Sequence, residues 1–562
     1  MPTVPAAAVG GQQSGASSSA DGWWLNARCD RWLWGLLALG LAARLVWLQQ
    51  PLIDQQAWRQ TDTAAIARSF WAEGYQLLHP RVEWRGASPG YVESEFPLYP
   101  FCVALVYGLL GGPHEWVGRA LSALAFTAAA LFLYGLALRL YGVGWAPRLA
   151  AMWFLVSPYG VYFGRAFMPE ALMMLFSVGA ILAFLRWTEV GGQGRLALAI
   201  AAAAGAFLVK IPTLYLGFAL VAVAWSRWGW RFLRRADLWL FLAAVLLPPA
   251  LWYWHAHGLF LQTGLTFGIW NHYGYDKWAG AGADLGYWWL MARRLATGVL
   301  TPLGLALALL AAWHWRADGR RSAVTWAWVG GLLAYLALVP EGNRRLEYYQ
   351  LPFLAPGALL AGRALAAWLP PSPPRADGAR RARAALAPAW RYGLVALVTA
   401  AAVAWSAVAV QPLYRPGGHL YDYYSSCYQV VAVVNSRLPA DALLVVVDLD
   451  DNAGAPFRSQ SPTMLYYCNR KGWQLTPDQL GGAALDSLAA AGADIALVPG
   501  GLVRDRPAIL AGLYRRGVSL PSAYPSWWTD GASLAAARRT VPAAERSFFL
   551  VRLGDGGSAG PP

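Results

Sequence analysis

Between residues 53 and 71 the chain reads IDQQAWRQTDTAAIARSFW, which places Asp54, Arg59, Asp62 and Arg68 in one short stretch. A carboxylate in such a stretch can take a proton from an attacking hydroxyl or amine, and a guanidinium can hold phosphate oxygens. Asp54, Trp58 and Asp62 recur at four-residue steps and drift around one broad helical face. Arg59 stands three residues before Asp62, within pairing reach, and Ile66 and Phe70 are four apart, as an apolar contact would be. The spacing predicts an amphipathic helix on a surface, with Asp54 just ahead of it where a helix cap belongs. Cap and proton acceptor are both open to Asp54 on these grounds.

Other turns gather ionisable groups as well. HPRVEWRGASPGYVESEFPLYP carries Glu93 and Glu95, and Arg165 and Glu170 flank the turn of YFGRAFMPEALMM. Lys210 lies in FLVKIPT, and His255 and His257 lie in YWHAHGLF, followed by His272, Asp276 and Lys277. PEGNRRLEYYQLP adds Glu341, Arg344, Arg345, Glu347, Tyr348 and Tyr349. Singly, each reads as a solvated residue, and Arg44 and Lys210 as side chains that snorkel from span ends. Together they predict a site, because ionisable groups collected at one membrane depth are costly and mark function. Zinc-hydrolase and nucleotide chemistry have no support: His255 and His257 are two apart and point apart on a helix, and HExxH, GxxxxGK[ST] and GxGxxG in context are missing, while GxSxG occurs only as GASPG (86–90) and GGSAG (556–560), neither directly after an apolar strand-like run.

The elements that must position these groups are membrane helices. The 562 residues are 57% hydrophobic and 13% charged, against roughly a quarter charged in soluble domains. Apolar runs predict a polytopic α-helical membrane protein with spans near 31–50, 115–138, 149–164, 170–187, 196–210, 212–226, 238–257, 296–315, 322–340, 350–368 and 391–411, eleven in all. With the N-terminus in the cytoplasm, the inner loops hold sixteen arginines against Glu189, Asp237, Asp318 and Asp377, as the positive-inside rule requires. The same bias accounts for the net charge of +15 without nucleic acid. Residues 96–112, short and interrupted by proline, are expected to lie at the outer interface, since a crossing there would invert every later loop. The polar segment 1–30 is expected as a disordered cytoplasmic tail, 31–411 as the transmembrane catalytic domain with its first outer loop at 51–114, and 412–562 as a small α/β domain outside the membrane. Cys427 and Cys468 both fall in that outer domain, where a disulfide is expected, while Cys29 and Cys102 read as structural.

The first-loop Asp at a helix start, FPLYP entering an interfacial helix, GRALSALAF, RAFMPEALMM, LVKIPT and EYYQLPFLAPGALLAG, in that order, resemble the GT-C glycosyltransferases. Within them the chain is similar to glycosyltransferase family 39, which includes protein O-mannosyltransferases and the lipid A aminoarabinose transferase, over about residues 31–370. The resemblance implies transfer of a sugar from a polyprenyl-phosphate donor, with inversion, to a lipid, glycan or protein acceptor outside the cytoplasmic membrane. It implies Asp54 as general base, with Asp62 as the alternative if IAR sets the register, and Glu170 as the second acid. No cofactor is required on this reading, and a divalent metal stays open, though no ligand cluster calls for one. The lipid phosphate leaves without an acid and needs cations, for which Arg59, Lys210, Arg344 and Arg345 are candidates. Glu93, Glu95, Arg165, His255, His257, Tyr348 and Tyr349 are candidate substrate contacts. Three other readings stay open: an oligosaccharyl transferase using a pyrophosphate-linked lipid, a transporter, which would carry polar residues and broken helices at mid-bilayer, and a non-catalytic assembly scaffold.

Overall fold

The computed structural model describes residues 22–269, 284–313, 322–369, 389–414, 431, 434–435, 438–447, 461–499, 506–515, 518–519 and 548–553. Helix occupies every one of the expected spans. The first part of the chain forms α1 (Gly22–Arg28), α2 (Arg31–Leu45), α3 (Ala57–Glu73), α4 (Leu98–Leu110), α5 (Glu115–Tyr141), α6 (Trp145–Val156), α7 (Pro158–Phe163) and α8 (Glu170–Val190). Then come α9 (Gln193–Val209), α10 (Leu216–Trp228), α11 (Ala236–Thr263), α12 (Leu285–Arg294), α13 (Pro302–Trp313), α14 (Ser322–Leu338), α15 (Pro340–Arg345), α16 (Leu354–Ala366) and a helix at Ala389–Ala409. Among the described residues four helices, Glu115–Tyr141, Glu170–Val190, Ala236–Thr263 and Ala389–Tyr414, are long and apolar enough to cross a membrane alone. A fifth crossing is available if Leu285–Val299 and Pro302–Ala311, bent by 107°, count as one broken span. The thirteen residues of α4 extend about 20 Å, short of an approximately 30 Å hydrocarbon core.

Small residues let these helices approach. Gly362 of α16 faces α6 so closely that a Cβ there would lie 2.4 Å from the Ala150 backbone nitrogen, the kind of contact membrane helices use in place of a hydrophobic drive. Arg44 does not snorkel. It is fully buried, donates to the carbonyls of Gly40 (2.7 Å), Leu155 (3.1 Å) and Gly160 (2.8 Å), and lies 4.4 Å from the Phe126 ring centroid. The chain breaks between α6 and α7 at Ser157–Pro158; proline has no N–H to give, and Arg44 supplies donors where the break leaves carbonyls short of them.

The tail boundary also moves. Residues 22–28 are helical and bury Trp23 and Ala27 against the helical core. Asp30 then caps α2 by accepting from Leu33 N, and takes Tyr134 Oη at 2.8 Å and Arg148 Nε at 2.7 Å. A buried carboxylate with three donors is a structural anchor.

The C-terminal region carries a five-stranded sheet in the order β2–β1–β3–β5–β4. Here β1 is Leu444–Val447, β2 Gly472–Leu475, β3 Ile495–Pro499, β4 Val518–Ser519 and β5 Phe548–Arg552. β1 pairs in parallel with β2 and β3, and β5 runs antiparallel to β3 and β4. This sheet and the helix Ser461–Cys468 close over the loop between α2 and α5, and one apolar cluster joins Ala57, Ile66, Phe70 and Trp84 to Leu444, Met464, Leu465 and Leu550. Backbone bonds tie the parts directly, from Gly472 N to Glu83 O at 3.0 Å and from Gly86 N to Gly472 O at 2.6 Å. Hence α3 is no exposed amphipathic helix: most of its residues are buried, because the C-terminal region covers the side that a surface helix would show to water. Cys468 is a free, buried thiol 3.6 Å from Met464 Sδ, and burial pushes it up to about 12. The expected disulfide is therefore not formed at Cys468; Cys427 lies outside the described residues.

Candidate active site

The segment 54–60 is built from both ends of the fold. α3 is made of good helix formers and stops at Gly74 (φ 106°), where a left-handed backbone suits glycine. It begins after Gln56, which takes φ 60° and ψ 35° and makes no side-chain cap bond. Asp54 is therefore not the cap of α3. It is 2% exposed, and its carboxylate accepts from Gln60 Nε2 (2.6 Å), Gln50 Nε2 (2.7 Å) and Arg119 Nη2 (3.3 Å). Gln60 and Arg119 were not singled out from the sequence. The signal for Arg119 is a guanidinium one turn inside the apolar helix α5; its Nη1 and Nη2 also gather the carbonyls of Leu48, Gln50 and Pro51, so the loop leaving α2 hangs on it.

The turn after Asp54 is clamped by Glu347, which accepts from Gln55 Nε2 at 2.6 Å and from Gln56 Nε2 at 2.9 Å. A non-glycine residue in the left-handed region persists only where its surroundings hold it, and here Glu347 does so. Tyr162 Oη donates to the Gln55 carbonyl at 2.8 Å, giving a second hold on the same turn.

Beside it lies a chain of opposite charges. Arg59 Nη2 meets Glu95 Oε2 at 2.7 Å, Lys210 Nζ meets Glu95 Oε1 at 3.3 Å, and Lys210 Nζ meets Glu170 Oε1 at 2.9 Å. Lys210 also sits 5.3 Å and 5.5 Å from the ring centroids of Tyr348 and Tyr349, neighbours of Glu347. The positions follow from local breaks. α9 ends at Lys210, which is extended at φ −153° before Ile211-Pro212; Glu170 opens α8 after Pro169, where the helix dipole favours an acid; Glu95 lies on irregular chain ahead of α4. Burial raises the Glu95 carboxyl, but Arg59 and Lys210 outweigh it and hold Glu95 well below the usual carboxylate range. Burial likewise lowers Arg59, and Glu95, Tyr348 and Glu170 more than restore it.

Of the remaining expected residues, Asp62 does not pair with Arg59. It accepts from Trp84 Nε1 at 2.9 Å, and burial, only partly offset by Trp84 and Arg59, raises it from 3.8 to about 7. Glu93 and His257 meet at 3.3 Å, with Thr266 Oγ1 on the other Glu93 oxygen. His255 instead points to Leu78 O at 2.9 Å, as the two-residue spacing requires. Arg165 donates to Trp47 O at 3.0 Å and packs on Tyr414, next to the Asp54 turn. Arg344 and Arg345 do not join the cations: on the exposed end of α15 they pair with Asp284 and with Glu341. His272, Asp276 and Lys277 lie outside the described residues. Among the described residues no group of three or more His, Cys, Asp and Glu is arranged to hold a metal ion.

Residues 94–254 match the family model of dolichyl-phosphate-mannose-protein mannosyltransferase. No curated protein matches the chain. Among solved structures, ArnT from Cupriavidus metallidurans bound to undecaprenyl phosphate aligns with a TM-score of 0.55 at 16% identity, over 97% of this chain and 100% of that one. The archaeal oligosaccharyltransferase AglB from Archaeoglobus fulgidus, in complex with an inhibitory peptide and a dolichol-phosphate, aligns with a TM-score of 0.54 at 11% identity, over 86% of this chain and 71% of that one. At such identities the structural likeness is one of fold. The matched segment 94–254 contains Glu95, Glu170 and Lys210.

Proposed function

We propose that the chain is a membrane glycosyltransferase of GT-C type that moves a sugar from a polyprenyl-phosphate carrier to an acceptor at the outer face of the cytoplasmic membrane, with Asp54 as general base; the family match over residues 94–254 and the fold shared with ArnT and AglB support this reading. The observation that carries this reading is the convergence, from four separate segments, of Arg59, Glu95, Glu170 and Lys210 beside the turn that holds Asp54. Two buried cations at one point suit the oxygens of a lipid phosphate, and a fixed carboxylate suits the proton of the nucleophile.

In the proposed step an acceptor hydroxyl or amine attacks the anomeric carbon on the face opposite the phosphate. Its bond to the sugar forms as the anomeric C–O bond to phosphate breaks, so the configuration inverts. The acceptor proton passes to the Asp54 carboxylate, and the electron pair stays on the polyprenyl phosphate. That leaving group is a weak base and needs only charge stabilisation, from Arg59 and Lys210. Gln60 and Arg119 aim Asp54, and Glu347 holds its turn. Asp62 is the second reading for the base: its value of about 7 suits proton transfer at neutral pH, but its partner is Trp84, in the apolar cluster under the C-terminal region.

The same reading has eleven crossings, α4 at the outer interface, a cytoplasmic N-terminus and an outer C-terminal region that shapes the acceptor side. Purified full-length protein mixed with lipid-linked sugars extracted from membranes, with free polyprenyl phosphate followed by mass spectrometry, tests it. Asp54→Asn is expected to slow release by about 100-fold or more, and Asp62→Asn by less than about 10-fold. Full activity in Asp54→Asn, or the larger loss in Asp62→Asn, removes Asp54 from the role.

A further inference from the structure

The four charges of the cluster form one chain, Arg59–Glu95–Lys210–Glu170, and its two carboxylates are not equivalent. Glu170 is 1% exposed and among the described residues pairs with Lys210, from the first turn of α8. Glu95 gives one oxygen to each cation, lies on irregular chain, and has a side chain 19% exposed, against 9% for Arg59 and 7% for Lys210. It is the member on the open side of the cluster, and its two oxygens bridge the two cations as two oxygens of a phosphate would.

We infer that Glu95 holds the place of the donor phosphate, is displaced by it, and thereby selects the donor's charge. The inference rests on Arg59 and Lys210 being the phosphate-binding cations. With Glu95 turned aside, Arg59, Lys210 and Glu170 sum to one positive charge. That balances the single negative charge of a phosphodiester-linked sugar. A pyrophosphate-linked donor brings a second charge, which the pair of cations does not balance and which meets the displaced Glu95 nearby. Buried charge without a counter-charge is costly, so Glu95 penalises the pyrophosphate carrier more than the monophosphate carrier. Its return to the cations after transfer also helps expel the spent lipid.

The test is equilibrium binding of undecaprenyl phosphate and undecaprenyl pyrophosphate to the full-length protein in lipid nanodiscs at about pH 5, below the second ionisation of a phosphomonoester near 6, so that the probes carry about one and about two charges as the two donor classes do. Glu95→Gln removes the competing charge and keeps the shape. It is expected to bind undecaprenyl phosphate about 10-fold tighter, the worth of one charge-assisted bond, and to tighten on the pyrophosphate by a larger factor. Glu95→Asp keeps the charge but is too short to bridge both cations; it is expected to tighten both by a smaller factor, and it decides the matter if Glu95→Gln does not fold. Unchanged or weaker binding in a folded variant overturns the inference, as does equal tightening on both lipids. Lys210→Gln separates the premise: if it leaves both affinities as in the parent chain, the cluster is not the phosphate site, and the proposed function fails independently of Glu95.

Discussion

Two aspartates eight residues apart, Asp54 and Asp62, have opposite surroundings. Asp54 has two amides and a guanidinium on its oxygens, whereas Asp62 has one indole N–H in an apolar cluster. The difference has a pH consequence. The folded chain binds the Asp62 proton more tightly than the unfolded chain does, since burial raises the group from 3.8 to about 7. Its contribution to stability is complete below the unfolded value and is lost as pH rises through about 7. Between about pH 5 and pH 8 the melting temperature of the parent is therefore expected to fall more than that of Asp62→Asn; parallel curves would remove Asp62 as the titrating group. Glu347, Gln60 and Arg119 show what spacing cannot reveal. They lie far from Asp54 in sequence or look like ordinary polar residues of their own segments, and only the folded chain brings them to its turn.

At the scale of elements, α3 is held between the helical bundle and the C-terminal region. Glu73 gathers Arg81, Arg85 and Lys471, Arg68 pairs with Glu83 and lies 4.3 Å from the Tyr466 ring centroid, and the Leu52 N–H donates to Tyr467 Oη. Gly472 sits at the seam, where a Cβ would lie 1.7 Å from Leu444 O and would force β2 away from β1. Gly472→Ala is thus expected to cost about 1–3 kcal/mol or more at that edge and to expose the C-terminal region to limited proteolysis while the helical bundle stays intact. Cleavage no faster than in the parent chain would mean that the seam does not hold the region down. The four-residue spacing of the 53–71 stretch predicts the helix that forms at Ala57–Glu73, and Ile66 and Phe70 do share an apolar cluster. The side expected to face solvent is buried instead, because which side of a helix meets water depends on what else in the chain packs there.

For the whole molecule, the run of apolar segments implies the polytopic membrane class from sequence alone, and the arginine bias of the loops implies its orientation, since burial in lipid demands long apolar helices and leaves little other choice. The direction of those helices is a measurable consequence of the same bias. In intact cells a membrane-impermeant thiol reagent is expected to label Ser487→Cys, exposed in the C-terminal region, above the background of the parent chain, and to label Gln193→Cys, exposed at the start of α9, only after permeabilisation. The reverse pattern would invert the topology and put the Asp54 site on the wrong side. By itself, then, the sequence determined what local physics can decide: helices where apolar runs demand them and polar turns where charge could gather, though the break at Ser157–Pro158 falls inside the expected span 149–164. The tertiary structure alone decided which charges meet. Arg59 passes over Asp62 for Glu95, Lys210 joins Glu95 to Glu170, and Arg344 and Arg345 stay at the rim with Glu341 and Asp284, because pairing depends on distance in space and a buried charge takes whichever partner the packing brings within reach.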